Sequence, residues 1–436
     1  MELTLDILDR LLDAFVQSLV QPFYLIGILF VAFQYHKQIQ LERKLFSTRL
    51  HFLLDTTWRT LLGGIIAGFL GSVVMAFVGA SLTPAAVLWL WGTTIVLALL
   101  RLRFLCMAYA VGVLGLLNEL ATLLGPSVAE GSLWPRLLGS LEGLPMPSLI
   151  ALAAVLHLIE AFLVRWQGSR MAMPLFVENK RGRMVGSYRL QQFWPVPLFL
   201  LVPMASGGAT VELPWTPLLG DALWTAGWGF IAFPAMLGYA ESTMSRLPGA
   251  KAAGSAIRLA VYGVVVLGLA LLAEWQQPLI ALASFGVIAL HEAVVWLGRR
   301  EEAQEMPRFV HGPAGLTILA VLPNGPAADM GLEAGEIIVK VNGTPVRTRI
   351  ELYQALSINP AYCKLEVLNL EGHSKFVNRA LFMGDHHQLG VILCPDESAR
   401  YYVSAKESSL LGLWKRPWKG ARSRPHPSVP TAGETV

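Results

Sequence analysis

The sequence predicts a polytopic α-helical membrane bundle of about nine spans, followed by a small cytoplasmic α+β domain and a basic tail. Three observations carry this. The chain is 54% hydrophobic and 15% charged, with a mean hydropathy of +0.53, whereas a soluble domain carries about 25% charged residues. Apolar runs near the ~20 residues needed to cross a bilayer recur along the first 300 positions. Lysine and arginine gather in alternate connections between those runs.

The runs fall at 19–35, 61–80, 84–100, 105–124, 148–164, 194–211, 222–239, 255–273 and 278–297. The sixth is interrupted by Pro195, Pro197, Pro203 and Gly207-Gly208, which suits a broken or re-entrant segment. Positive charge collects at Lys37, Arg43, Lys44, Arg49 and Arg59, then Arg101 and Arg103, then Arg165 to Arg189, then Arg246 and Lys251, then Arg299 and Arg300. The intervening connections carry almost none. This places the N-terminus outside and the C-terminus in the cytoplasm. The first residues lack a basic region and a cleavage site, so the first apolar run is expected to stay attached.

Residues 1–18 form an amphipathic helix on the extracytoplasmic side, with Leu5, Leu8, Leu12, Phe15 and Leu19 at helical spacing and Asp6, Asp9 and Asp13 on another face. Residues 19–298 make up the membrane domain and 299–310 a charged linker. The net charge of +4 is small, and nothing in its distribution points to nucleic acid. Cys106, Cys363 and Cys394 lie far apart without metal-type spacing and read as free thiols.

Residues 311–403 alternate in the manner of a small α+β domain. Leu316, Ile318 and Ala320 define a strand, Gly325-Pro326 starts a short helix that Gly331 ends, and 336–341 is a second strand. Asn342-Gly343 signals a hairpin, Thr348 with Glu351 a capping box, and Glu371-Gly372 a further hairpin. The series Gly-Pro-Ala-Ala, Gly-Leu, Gly-Glu-Ile-Ile and Val-Asn-Gly resembles a PDZ domain, a partly open barrel, in its bacterial arrangement. Glu336 stands where bacterial relatives usually carry aspartate. The resemblance implies a groove that takes a peptide or C-terminal ligand as an added strand. Gly315 and Leu316 would then form the carboxylate-binding turn, Leu316 and Ile318 the peptide edge, and Leu352 and Leu356 the pocket. The alternative is that these side chains are simply core.

Catalytic chemistry is not evident. His291-Glu292 begins a zinc-protease pattern, but Val295 occupies the position of the second histidine and no Asp-Gly partner follows. Ser206-Gly207-Gly208 lacks a serine-protease context. Glu119, His157, Glu160, Arg258, His291 and Glu292 lie within apolar runs, where they could make a metal or proton site or pair between helices. No catalytic residue, metal ligand or cofactor is assigned. Lys180, Arg181 and Arg183 sit in a cytoplasmic loop suited to lipid headgroups or a partner protein. Residues 404–436, with Trp414 to Lys419 amid proline, serine and arginine, are expected to be disordered. Those tryptophans could touch the inner leaflet, and the apolar end Glu434-Thr435-Val436 could serve as a PDZ ligand.

The loop Glu178-x-Lys180-Arg181-Gly182, the segment Leu190-Gln191-x-Phe193-Trp194-Pro195 and the terminal PDZ domain together resemble the MinJ family of division-site topological determinants. That resemblance implies a non-enzymatic scaffold at the septum and poles of a bacterial cell. Its partners would be a polar curvature-sensing coiled-coil protein, the Min ATPase, septal membrane proteins and membrane lipids. A degenerate or atypical intramembrane protease relative with a regulatory PDZ domain is the alternative.

Overall fold

A computed structural model describes residues 2–79, 82–124, 134–179, 181–203, 213, 215–219, 227–382, 389–396, 401–402 and 422–423. The membrane part comprises α1 (Glu2–Val20), α2 (Pro22–Phe46), α3 (Leu53–Val78), α4 (Pro84–Leu100), α5 (Met107–Leu124), α6 (Trp134–Glu142), α7 (Met146–Gln167), strands β1 (Ala172–Glu178), β2 (Met184–Pro203) and β3 (Trp228–Thr243), and α8 (Pro248–Trp275) and α9 (Leu279–Gln304). Among the described residues α3, α5, α7, α8 and α9 are long and apolar enough to cross a membrane. A further span forms if Ile7–Val20 and α2, bent by 49°, act together. The bend falls at Gln21-Pro22, where proline suits the first turn of a new helix and cannot continue the old one. At 17 residues α4 is about 25 Å long, a little under the ~30 Å hydrocarbon core. Helix α7 is the axis of the bundle, buried almost without break from Leu149 to Leu156.

The expected sixth and seventh spans are not helices. Residues 184–203 and 228–243 form an antiparallel pair, β2 with β3, extended by β1 on the N-terminal part of β2. Hydropathy registers the apolar content of these segments, but it carries no information on backbone geometry. Four prolines, Pro195, Pro197, Pro203 and Pro234, argue against a helix. Beyond Leu190, β2 has β3 on one side and helix α3 on the other. On the α3 side the N–H donors are removed at Pro195 and Pro197, and Phe199 N donates to Ser72 Oγ at 2.9 Å. At these three positions the strand presents no unpaired donor, as non-helical backbone inside a membrane protein requires. Gly64 and Gly68 permit the approach: a Cβ on Gly64 would stand 2.2 Å from Pro195 O, and one on Gly68 2.6 Å from Pro197 O.

Helix α1 packs on this sheet through Ile7, Ala14 and Phe15, the last edge-on to Phe69 and Phe199. Leu8 and Leu12, read as part of the apolar face of this helix, point outward with Val16 and Val20. The helix therefore carries apolar side chains on its exposed side as well, beside the exposed Asp9 and Asp13.

The C-terminal domain contains β4 (Leu316–Val321), α10 (Pro326–Asp329), β5 (Ile337–Val341), β6 (Thr344–Pro345), α11 (Arg349–Ile358), β7 (Tyr362–Leu368), β8 (Ser374–Ala380) and β9 (Val391–Leu393). Its sheet runs β8-β7-β5-β4-β9, with β6 paired to β5. Asn342 and Gly343 both take positive φ, 51° and 85°, as the β5–β6 hairpin requires. Thr348 and Glu351 complete the capping box at the start of α11. Residues 401–402 (β10) pair with 422–423 (β11); the rest of 404–436, including Trp414, Trp418 and Val436, lies outside the described residues.

The segment 299–310, expected as a linker, instead continues α9 to Gln304 and then docks. Glu302 Oε1 accepts from Met244 N at 2.6 Å and Ser245 N at 3.1 Å, and Arg308 N donates to Met244 O at 2.8 Å. Arg246 pairs with Glu305 and Glu301, and Arg258 with Glu301.

Candidate functional site

The four apolar residues predicted for a peptide groove are all buried together in the core of the C-terminal domain: Leu316, Ile318, Leu352 and Leu356. Their strand is not an edge. Ile318 N donates to Glu336 O on the β5 side, while Cys394 N donates to Thr317 O and Leu322 N to Gly390 O on the β9 side. A peptide cannot add to β4, whose hydrogen-bonding groups are occupied on both flanks. Gly315 is glycine for a different reason than anion binding, since a Cβ there would lie 2.3 Å from Ile338 O. The edges of the sheet are β8 and β9. Leu389 and Gly390, with φ of 59° and 73°, turn the chain into β9, and Leu389 and Val391 share the buried cluster of Leu352 and Leu356. Sequence reasoning missed this turn. Its signal was present in Leu389-Gly390-Val391-Ile392-Leu393, a glycine ahead of a short apolar run.

The domain is held against the membrane part. Phe309 is fully buried and meets Tyr188 edge-on at 5.1 Å, and its carbonyl accepts from Gly186 N at 2.7 Å. The Tyr188 hydroxyl donates to Leu319 O. Leu319, Ala320, Ile392 and Cys394 belong to the same continuous core as α7 and β2. Gly186 makes room for this contact: a Cβ would fall 2.7 Å from Leu319 Cδ1.

The basic loop is a β1–β2 hairpin. Asn179 Oδ1 accepts from Arg181 N and Arg183 N, and Gly182 takes φ 75°, so the turn is fixed by the backbone while Arg181 and Arg183 stay exposed. Lys180 lies outside the described residues.

Within the bundle, several of the scattered ionisable residues meet in two arrangements. Glu292 on α9 pairs with Arg103 and accepts from the Tyr109 hydroxyl at 2.8 Å, a charge pairing between elements. Cys106, His157 and His291 converge from the turn before α5, from α7 and from α9, with Cys106 Sγ 3.1 Å from His157 Nε2 and 3.4 Å from His291 Nε2. One ligand-type atom from each lies within 4.8 Å of the others. Glu160, one turn from His157, is not part of this group, nor is Glu119. Cys106 remains a free thiol as expected, but its position between two imidazoles was invisible in a sequence that separates the three by 51 and 134 residues.

Helices of membrane-crossing length carrying a docked peptide-binding fold define the class, a membrane protein with a C-terminal PDZ domain. A PDZ family model matches residues 317–367. The chain is 30% identical over 384 residues to the cell division topological determinant MinJ of Bacillus subtilis (strain 168), covering 86% of this chain and 92% of that protein. It is 28% identical over 356 residues to the probable cell division topological determinant MinJ of Lacticaseibacillus paracasei, covering 77% and 85%. The chain belongs to the MinJ family.

Proposed function

We propose that this protein is a non-enzymatic membrane scaffold for selecting the division site, collecting division proteins on its PDZ domain and its basic β1–β2 hairpin. The observation that carries this is the docked PDZ domain, one face of which joins the bundle core through Phe309, Tyr188 and Leu319. In this reading a partner segment adds as a strand to β9, with Leu352 and Leu356 of α11 beneath it, and Arg181 and Arg183 bind acidic surfaces or anionic headgroups. The partners are the polar coiled-coil protein, the Min ATPase and septal membrane proteins.

The topology that fits has the N-terminus outside and the PDZ domain in the cytoplasm. Replacing two helical spans by one β2–β3 hairpin leaves the parity unchanged, because a hairpin that enters and leaves on one side connects the same compartments. Seven helical crossings, counting α1–α2 once and α4, then agree with the alternating positive charge. A protease relative is disfavoured by Val295 and by Glu292, whose carboxylate is engaged by Arg103 and Tyr109.

The test is a fluorescent fusion to the chain in dividing cells, with the variant Val391→Pro, which obstructs strand addition at β9, beside it. Enrichment at septum and poles that the variant loses while still reaching the membrane supports the scaffold; uniform membrane staining of both refutes it.

A further inference from the structure

The two histidines of the bundle are oriented by partners that fix their tautomers. His157 Nδ1 lies 2.7 Å from Ala153 O, a group that only accepts, so Nδ1 carries the proton. His291 Nδ1 lies 3.2 Å from the Tyr109 hydroxyl. The Tyr109 proton is donated to Glu292, and Arg103 donates to the same oxygen at 3.0 Å, so that hydroxyl accepts from His291. Both Nε2 atoms therefore direct lone pairs at Cys106 Sγ. One thiol proton cannot serve two imidazoles. A cation that replaces it satisfies all three atoms at once.

The geometry points to a binding site for a zinc-class divalent cation, held by Cys106 as thiolate and by His157 and His291 through Nε2, with one coordination position left open. Tetrahedral zinc with Zn–S of about 2.3 Å and Zn–N of about 2.0 Å sets S···N distances near ~3.5 Å. The two observed S···N distances, 3.1 and 3.4 Å, lie within a few tenths of an ångström of that value, and all three ligand atoms lie within 4.8 Å of one another. A soft thiolate with two imidazoles selects zinc or copper over magnesium or calcium. The second shell is of the expected type: Ala153 O holds one imidazole, and the Tyr109–Glu292–Arg103 chain holds the other. Binding releases one proton from sulfur and ties α5, α7 and α9 together. Helix α9 runs directly into the PDZ attachment.

The experiment uses the full chain in detergent, stripped with chelator, dialysed against Zn²⁺ and measured by elemental mass spectrometry. About one zinc per chain is expected, with at least a tenfold loss in Cys106→Ser, His157→Ala and His291→Ala. Because those variants could unfold, the second measurement uses Cys363→Ala/Cys394→Ala, in which Cys106 is the sole thiol. Loaded with Co²⁺, this chain is expected to show a thiolate-to-cobalt charge-transfer band that added Zn²⁺ abolishes. Less than a tenth of a zinc per chain in a monodisperse preparation, a missing charge-transfer band, or full zinc retention by any of the three ligand variants overturns the site.

Discussion

Phe309→Ala tests whether the PDZ domain is part of the membrane core. The ring is fully buried, packs edge-on against Tyr188, and sits where Gly186 leaves no room for a Cβ, so the site cannot collapse around the gap from the β2 side. Truncating a buried phenylalanine costs about 3–5 kcal/mol. Here the loss falls on docking, because the domain's own core of Leu316, Ile318, Ile338, Leu352 and Leu365 is a separate cluster. A shift of about 3 kcal/mol raises the undocked population roughly a hundredfold. Hydrogen–deuterium exchange on the detergent-solubilised chain reads this directly. Amides at Gly186 and Arg308 should lose protection, while those of β5 and β7 keep theirs. Unchanged protection at Gly186 and Arg308 refutes docking, and a parallel loss in β5 and β7 shows that the residue serves the domain's own fold.

Ser72→Ala leaves Phe199 N without its acceptor in a buried site and should lower stability by about 1–3 kcal/mol, read as a lower unfolding midpoint in detergent; Ser72→Thr, which keeps the oxygen, should recover part of it. Thr348→Ala removes the cap of α11 and should destabilise the PDZ domain by about 0.5–2 kcal/mol without altering exchange in α7. Burial pushes the Cys363 thiol up to about 12, so iodoacetamide at neutral pH should label it only after denaturation; rapid labelling of the native chain contradicts the packing. The hydrogen bond from Arg246 holds the Glu305 carboxyl below its ordinary value of 4.5. A carboxylate depressed in the folded state stabilises above its unfolded pKa and loses that contribution as pH falls through the folded one. Exchange protection at Arg308 should therefore weaken on acidification below 4.5, and Arg246→Gln should flatten that dependence; an identical pH profile in the variant removes the assigned cause.

The helices α3, α5, α7, α8 and α9 were legible because an apolar run of that length has few other fates. The PDZ elements were legible because turn glycines, the Asn342-Gly343 hairpin and the Thr348 cap act locally. The β2–β3 hairpin was not, since hydropathy reports burial and says nothing of where the hydrogen bonds go; the prolines at 195, 197 and 203 marked the break without revealing the partner strand. The edge strand escaped for a related reason. Gly315-Leu316 and Leu389-Gly390 both look like a glycine turn into an apolar strand, and only the order of the sheet decides which one lies at its edge. Cys106 belongs with His157 and His291 only through the packing of distant helices.

The docked attachment also bears on how the proposed strand addition at β9 would present a partner. Twelve residues of free linker would let the domain wander by roughly 20 Å in any direction. With α9 continued to Gln304 and Phe309 anchored under Tyr188, that freedom is gone, and every copy holds β9 at one height and one tilt relative to the bundle. A partner binding there forgoes less orientational entropy. In the proposed scaffold, such a partner's position would be referenced to the bundle, so the protein would act as a ruler as much as a hook.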